Sequence, residues 1–174
     1  MMDSGGYYMR TVSGRKIYIL DPKPEDFIIE DIAHHLSMIN RYNGGTIFPF
    51  SVAKHSIIIS YQLPDELALE GLLHDAHEMS IGDDTTPKKK AIPEAKAVEM
   101  RHESAMRAKF GLGKIIHPVV KEYDHRMYVT EVNQLRPMSS HDMPGVKPFD
   151  MKLTESSWID DRAKFMERFR ELTA

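Results

Sequence analysis

Apolar side chains recur at helical spacing along most of this chain. Between Pro24 and about Arg41, isoleucine and leucine residues return every three or four positions, which predicts a first helix. Capping residues, prolines and glycines bound five more stretches of this kind. We expect the second helix to begin at Ser51, the third to run from Pro64 into His74-Asp75, the fourth to span Pro93 to Gly111, the fifth to span about His117 to Arg136, and the sixth to begin near Ser156-Ser157.

The segments between these helices have a different pattern. Residues 8–19 contain two short extended runs around a turn in which Gly14 supplies a positive φ, so we expect an N-terminal β-hairpin. The glycines of Asn43-Gly44-Gly45 end the first helix, and the residues that follow favour an extended loop. Residues 82–87 predict another loop, and residues 137–152 a surface connection. The sequence therefore predicts an all-α bundle of about six helices with a short N-terminal β-hairpin.

Length and composition indicate one domain. The chain has 174 residues, against about 150 residues for a typical domain. We expect a single domain over residues 1–174, with its core in about 24–136 and a C-terminal helix at about 155–173. A hydrophobic share of 41% and a charged share of 28% exclude wholesale disorder. The aromatic residues of the last helix are expected in the core or at a subunit interface, rather than as a platform for base stacking: Trp158, Phe165 and Phe169.

The balance of charged residues indicates which kinds of ligand the chain can bind. The chain carries 23 Lys and Arg against 26 Asp and Glu, a formal net charge of −3. Without a basic surplus, a protein that binds duplex nucleic acid by neutralising phosphates is disfavoured, whereas a small anionic ligand is allowed. The sequence has no long apolar run and no apolar leader at its N-terminus. We therefore expect no membrane association and a cytoplasmic location.

The chain has no cysteine and nine histidines. The absence of cysteine excludes disulfides, thiolate metal sites and cysteine nucleophiles. Any bound metal must therefore be held by imidazoles and carboxylates. This is the ligand set of hydrolytic sites that use a divalent transition metal such as Zn, Co, Mn, Fe or Ni, and we also consider a second metal such as Mg.

An apolar run ends in the ionisable pair His74-Asp75, where burial is costly unless the groups pair or bind a metal. Adjacent residues on a helix point about 100° apart. The two side chains can therefore reach one ion only if it lies beside the helix and receives ligands from neighbouring helices. His55 and Asp124 are the candidates, provided that the second, third and fifth helices pack side by side.

Two further carboxylates follow this pair. Glu78 comes four residues after His74, so on a continuous helix it projects from the same face. A carboxylate beside metal-activated water is a candidate general base or acid, since the metal lowers the pKa of that water towards neutrality. Asp83, in the loop that follows, is a second candidate for this role or for orienting Glu78.

The order His55, then His74-Asp75, then Asp124 resembles the H…HD…D signature of the HD-domain metal-dependent phosphohydrolases. The stretches DIAHHLSMINRYNGG, FPFSVAKHS and LEGLLHDAHEMSIGDDTTPK are similar to the small bacterial and phage members, in particular 5′-deoxynucleotidases and deoxynucleoside triphosphohydrolases. The resemblance covers roughly residues 14–135. It implies that His55, His74, Asp75 and Asp124 bind the metal and that Arg41, Glu78 and Asp83 bind phosphate and catalyse.

The resemblance implies hydrolysis of a deoxynucleotide. We expect a deoxynucleoside triphosphate triphosphohydrolase that cleaves dATP to deoxyadenosine and triphosphate, because the phage dATP triphosphohydrolases that accompany 2-aminoadenine genomes are similar in length and pattern. A 5′-deoxynucleotidase acting on monophosphates is the nearest alternative, and phosphodiester cleavage is another. An alternative of a different class is a non-catalytic nucleotide sensor. Related small hydrolases associate, so we also expect a homo-oligomer.

Several residues keep two interpretations. Arg41 either caps the first predicted helix, where the dipole favours a cation, or clamps a phosphate as the resemblance implies. Lys88, in a run of three lysines, either lies in an exposed turn or steers a polyphosphate towards the metal. Tyr42, Thr46 and Ile47 are candidate substrate contacts in a loop whose counterpart in the family varies.

Glu131 lies two turns after Asp124 and either supports the site or pairs with a helix neighbour, and we favour the structural role. His77 lies inside the His-Asp segment without an assigned role. The other histidines are expected on the surface or in the core rather than as metal ligands: His34, His35, His102, His117, His125 and His141.

Overall fold

Seven α-helices make up most of the chain in the computed structural model, which describes residues 6–136, 138 and 143–174. Helix accounts for 60% of the structure, and a two-stranded antiparallel hairpin precedes it, as the sequence predicted. None of the helices in this described part combines the length and the apolar character that crossing a bilayer requires. The elements are β1 (Tyr8–Arg10), β2 (Lys16–Tyr18), α1 (Ile29–Met38), α2 (Val52–Gln62), α3 (Asp65–Leu73), α4 (Thr86–Ala91), α5 (Pro93–Lys109), α6 (Pro118–Leu135) and α7 (Trp158–Thr173).

The hairpin forms where the sequence predicts it and is anchored on α1. Met9 pairs with Ile17, and Gly14 in the turn has a φ of +88°. The side chain of Ile17 is fully buried against the helices. Ser13 donates hydrogen bonds from its backbone N–H and its hydroxyl to the carboxylate of Asp31, at 3.2 and 2.7 Å. The turn of the hairpin is thereby tied to the start of α1.

The first helix is shorter at both ends than its periodicity predicts. Pro24–Asp26 forms a separate 3₁₀ turn. Phe27 is extended (φ −92°, ψ 100°) and its ring is completely buried, so the chain turns into the core before α1 begins. At the other end Ile39 is extended, because its carbonyl accepts a hydrogen bond from the N–H of Val52 at 2.9 Å. Arg41 consequently lies beyond the helix rather than in its last turn.

Two other predicted boundaries are wrong. The third helix ends at Leu73, and a 3₁₀ helix, Ala76–Ser80, takes the place of its expected continuation. The loop expected to run through Pro87 is shorter, because α4 begins at Thr86. Proline is accepted there because it lies in the first helical turn, where the missing N–H has no intrahelical partner to lose. The second, fourth, fifth and sixth predicted helices form within a few residues of their expected positions.

α2 lies at the centre of the packing. It packs with α1, α3 and α7 around a buried core that includes Ile32, Leu72 and Phe165. Its other side contacts α6 through a second core that contains Ile59 and Met127. Two aromatic residues of α7 serve the core as expected: Phe165 is fully buried and Phe169 packs against the same cluster. Trp158 is 41% exposed, lies edge-on to His34 and is outside the core, so its place at a subunit interface stays a prediction.

Gly71 allows α3 to approach α2 closely. A Cβ atom at this position would overlap the side chain of Leu63 and lie 3.4 Å from Cγ2 of Ile59. Glycine is therefore the residue that fits between the two helices. The close contact brings the end of α3 against the second half of α2.

The described part of the connection between α6 and α7 is more than a surface segment. Phe149 is 6% exposed, belongs to the second core, and donates its backbone N–H to Oγ1 of Thr130 on α6 at 2.8 Å. Residues 137 and 139–142, with the predicted surface histidine His141, lie outside the described residues.

Hydrogen bonds join the start of α2 to the start of α7. Ser51 caps α2 as predicted, accepting a hydrogen bond from the N–H of Lys54 at 2.9 Å. Its hydroxyl donates to Oδ2 of Asp161 on α7 at 2.6 Å, and Ser156 donates to the other oxygen of Asp161 at 2.7 Å. Asp161 is 3% exposed. One buried carboxylate therefore holds two hydroxyls in place.

Replacing Asp161 by alanine should lower the free energy of unfolding by about 2–4 kcal/mol, because the buried hydroxyl of Ser51 and the partly buried hydroxyl of Ser156 lose an ionised acceptor. The matched control is Asp160→Ala: Asp160 is exposed and bonds only to Ser157, so a loss of at most about 1 kcal/mol is expected. Urea unfolding at pH 7 measures both. Equal losses for the two variants would contradict this account of the junction.

Candidate metal centre

Three helices bring two imidazoles and a carboxylate to one point. His55 lies in α2, His74 directly follows α3, and Asp124 lies in α6. One ligand atom from each of these residues lies within 4.8 Å of the others, and they form the group with this property among the described residues. The two histidines are buried, whereas the Asp124 side chain is 35% exposed. The packing of α2, α3 and α6 expected from the sequence is thus observed, and this group could hold a metal ion.

The hydrogen bonds of the two imidazoles fix which nitrogens face each other. Nδ1 of His55 contacts Oε1 of Glu131 at 2.6 Å, and Nδ1 of His74 contacts the carbonyl of Gly71 at 2.8 Å. Both acceptors lack a proton to give, so each neutral ring carries its proton on Nδ1. The two Nε2 atoms lie 3.3 Å apart, and that of His55 lies 3.2 Å from Oδ1 of Asp124. Two nitrogen lone pairs facing each other beside a carboxylate are the donors that a divalent transition metal prefers.

Asp75 completes the cluster. Its Oδ2 lies 3.2 Å from Nε2 of His74 and 3.7 Å from Nε2 of His55. On a regular helix the side chains of residues 74 and 75 would diverge. Here the backbone leaves helical geometry at Asp75 (φ −103°, ψ 10°), so both side chains reach the same point. The end of α3 at Leu73, which the periodicity does not predict, thus makes this approach possible.

Opposite charges control the titration of the cluster. Burial lowers the pKa of His74, but Asp75 and Asp124 outweigh it, so that the pKa is raised well above its ordinary value. The pKa of Asp124 is held well below its usual range, because contact with His55 and His74 outweighs its burial. The charges that stabilise a protonated imidazole here would equally stabilise a metal cation. Protons and a divalent ion therefore compete for this cluster.

Arg41 lies at the edge of the cluster among three carboxylates. Its Nε lies 3.3 Å from Oε2 of Glu131, and one terminal nitrogen lies 3.4 Å from Oδ2 of Asp83 and 3.8 Å from Oδ2 of Asp75. The side chain is nearly buried. Because α1 ends at Met38, the interpretation of Arg41 as a cap of the first helix is wrong. Its role towards a phosphate stays a prediction.

Glu78 reaches the site by a different route from the one predicted. It lies in the 3₁₀ helix rather than one α-helical turn after His74. Glu78 as a whole is 4% exposed, and its Oε2 has no hydrogen-bond partner among the described residues. Burial and the nearby charges of Asp75 and Asp83 raise the pKa of Glu78 well above its ordinary value. Burial also raises the pKa of Asp83, although Arg41 opposes the shift. For both candidate catalytic carboxyls, the surroundings shift the equilibrium towards the protonated form.

The predicted substrate contacts lie in two segments, the chain that follows α1 and the helix α4. Tyr42 directs its hydroxyl to Glu131 at 2.6 Å, and the hydroxyl of Thr46 donates to the carbonyl of Phe48 at 2.7 Å. Ile47 is 63% exposed. Lys88 is exposed in α4 rather than in a turn, and its Nζ lies 2.5 Å from Oδ1 of Asp84. No bound substrate tests these contacts, so they stay predictions.

Glu131 is the site residue whose partners the sequence did not identify. The expected pairing with a neighbour on its own helix is wrong, because its partners His55, Tyr42 and Arg41 come from α2 and from the turn that follows α1. The one signal in the sequence is its spacing of seven residues from Asp124, which places both on one face of α6.

The remaining described histidines have structural surroundings. His77 is buried, and its Nε2 lies 3.6 Å from Oε1 of Glu99. His102 bonds to Ser80 and to the carbonyl of Ile19. The others contact the hairpin, an aromatic ring, a helix start or solvent, as expected: His35, His34, His117 and His125.

Comparison with known proteins places the chain among relatives. No family model matches it. The chain is 35% identical over 128 residues to the uncharacterized protein YfdR of Escherichia coli (strain K12), a match that covers 74% of this chain and 72% of that protein. This chain belongs to the YfdR family. The uncharacterized Rhodobacter capsulatus protein RCAP_rcc00048 is 36% identical over 124 residues, covering 66% of this chain and 63% of the relative's length. Neither name states an activity, so membership of the YfdR family shows relatedness only, and the chemistry must be inferred from the site.

The YfdR-family chain should bind one Zn²⁺ at this cluster. We expect Asp124→Asn to weaken binding by more than about 100-fold, since losing even an outer partner of a metal ligand costs about 10- to 100-fold. The control is His125→Gln, which changes the next residue on α6, exposed to solvent, and should bind normally. Equilibrium dialysis with metal quantification measures the affinity, and Zn²⁺ should raise the melting temperature of the wild type. An equal loss in both variants would refute the assignment of Asp124.

Proposed function

We propose that this chain is an HD-type phosphohydrolase that binds a divalent transition metal through His55, His74, Asp75 and Asp124. The observation that carries the proposal is the pair of buried imidazoles whose Nε2 atoms lie 3.3 Å apart, with Asp75 and Asp124 each 3.2 Å from one of them. On a six-coordinate metal, a donor set of two histidines and two aspartates leaves two coordination positions for water and substrate. The order of these residues along the chain is the order of the family signature.

The chain's own residues supply the other parts of a hydrolytic mechanism. When bound, the metal supplies Lewis acidity towards a phosphoryl oxygen and makes water easier to deprotonate. Glu78 is the group that we assign to proton transfer, because its buried carboxyl has an oxygen without a partner among the described residues. The negative charge of Asp83 acts on Glu78, and a terminal nitrogen of Arg41 lies 3.4 Å from Oδ2 of Asp83. Arg41 offsets negative charge as it develops on phosphate.

The first substrate choice is a deoxynucleoside triphosphate, with dATP first, cleaved to deoxyadenosine and triphosphate. This choice comes from the family resemblance. A net charge of −3 and a site built from His and Asp are compatible with a small anionic substrate.

A 5′-deoxynucleotidase acting on monophosphates is the second candidate, and one observation favours it. Three described cations are already paired with carboxylates: Arg41 with Asp83 and Glu131, Lys88 with Asp84, and Lys89 with Glu99. A triphosphate carries more charge for these groups to neutralise than a monophosphate does. To bind a monophosphate, the protein would have to break fewer of these ion pairs.

A non-catalytic nucleotide sensor is the proposal of another class. The position of Glu78 argues against it, since burying one carboxyl oxygen without a hydrogen-bond partner among the described residues costs about 1–3 kcal/mol that a sensor has no need to bear.

Turnover assays decide among these functions. The protein is loaded with Mn²⁺, Co²⁺, Zn²⁺ or Mg²⁺ and incubated with each deoxynucleoside mono-, di- and triphosphate, and the products are separated by ion exchange. We expect intact triphosphate from dATP, and no release of it by Asp75→Ala. Orthophosphate from monophosphates alone would identify the nucleotidase instead. Binding without turnover would identify a sensor, and faster cleavage of bis-p-nitrophenyl phosphate than of any nucleotide would identify a phosphodiesterase.

Glu78→Gln should reduce kcat by about 10²- to 10⁴-fold while Zn²⁺ affinity stays close to wild type, because the change removes a proton-transfer group and no proposed ligand. Glu66→Gln, on the exposed side of α3, is the control and should keep full activity. Steady-state kinetics and metal quantification are made on the same samples. An unchanged kcat in Glu78→Gln would remove Glu78 from the mechanism.

A further inference from the structure

Glu131 is a buried carboxylate that the proposed chemistry leaves without a task. Its side chain is fully buried on α6, seven residues after Asp124. An ionised carboxylate in the interior is strongly destabilising unless charged or polar partners surround it. The partners that offset this cost therefore indicate what the residue does.

Each oxygen of Glu131 has a separate set of donors. Oε1 accepts a hydrogen bond from Nδ1 of His55 at 2.6 Å. Oε2 accepts from the hydroxyl of Tyr42 at 2.6 Å and lies 3.3 Å from Nε of Arg41. One oxygen thus serves a candidate metal ligand, and the other is held by the turn that follows α1. Tyr42 and Arg41 thus hold the carboxylate in place, and the carboxylate orients the imidazole of His55.

The backbone of that turn is bent to deliver the Tyr42 hydroxyl. Tyr42 (φ 56°, ψ 31°) and Asn43 (φ 53°, ψ 33°) are both left-handed, and Gly44 follows with a φ of 78°. Left-handed backbone is unfavourable for a tyrosine and persists where the surroundings hold it. Here the guanidinium groups of Arg41 and Arg136 both lie over the ring, at 5.3 and 4.8 Å from its centroid.

The two histidines differ in the group that accepts a hydrogen bond from Nδ1. His74 donates its Nδ1 proton to a neutral backbone carbonyl, that of Gly71, whereas His55 donates to an ionised carboxylate at a shorter distance. A carboxylate partner makes the opposite ring nitrogen a stronger donor to a metal and fixes the ring's orientation. His55 is therefore expected to be a stronger donor to a metal than His74.

We propose that Glu131 is a positioning residue that keeps His55 in its Nδ1-protonated form and aims Nε2 at the metal, and that Tyr42 tunes the strength of this hydrogen bond. The inference rests on the proposed metal site and adds to it a residue outside its ligand set. It concerns how one ligand is held, so it can fail while the site itself stands.

Proton NMR of the Zn²⁺-loaded protein with ¹⁵N-labelled histidine tests the proposal. Glu131→Gln should move the Nδ1–H signal of His55 upfield, because an amide oxygen accepts more weakly than a carboxylate. The corresponding signal of His74 should stay in place, since its acceptor is the Gly71 carbonyl. Tyr42→Phe should move the His55 signal downfield, because a carboxylate freed of one donor accepts the other more strongly.

Tyr128→Phe is the matched control. Its ring lies 6.4 Å from that of Tyr42, and among the described residues its hydroxyl has no assigned hydrogen bond, so both signals should stay where they are in the wild type. Glu131→Gln should also weaken Zn²⁺ binding by about 10- to 100-fold. Should that variant fail to fold, as judged by circular dichroism, the direction of the shift in Tyr42→Phe decides.

An unchanged His55 signal in a folded Glu131→Gln variant that still binds Zn²⁺, or an upfield or absent shift in Tyr42→Phe, would overturn the positioning role and leave the metal site intact. A wild-type protein that binds no Zn²⁺, Co²⁺ or Mn²⁺ would overturn the metal site itself. The two failures are therefore distinguishable in one set of samples.

Discussion

Mutual neutralisation of buried charges between α2, α3 and α6 is the constraint on which the rest of the structure depends. Arg41 and the imidazoles of the cluster lie among carboxylates of both the cluster and its surroundings, and any one of these charges left alone in the interior would cost several kcal/mol. The charges must therefore meet within hydrogen-bond distance. Only close helix packing provides such distances, and Gly71 and the two apolar cores supply it.

Much of this arrangement can be predicted from the sequence. Periodic apolar residues define most of the helices, and Ser51 marks the start of α2 by its capping chemistry. The site residues are conspicuous because ionisable side chains are rare in apolar runs, so the positions of His55 and His74-Asp75 along the chain are enough to indicate a special environment. The co-packing of α2, α3 and α6 then follows from the need to bring these ligands together.

The features that escape sequence analysis have a common physical origin. The end of α3 depends on the backbone angles of one residue, Asp75, which periodicity does not encode. The partners of Glu131 lie 76 and 90 residues away, at His55 and Arg41, and a lone glutamate on a charged helix gives no indication of them. Long-range contacts of single side chains are set by tertiary packing, whereas local spacing indicates only which face a residue occupies.

The junction between Ser51 and Asp161 links the helix that carries His55 to α7. The cap of the helix that carries His55 is held by a carboxylate 110 residues later, and α7 packs on α1, α2 and α3. Because translation runs from the N-terminus, His55 and Asp124 are synthesised before Asp161. The nascent chain therefore carries the residues of the metal cluster before the cap of α2 can bond to Asp161.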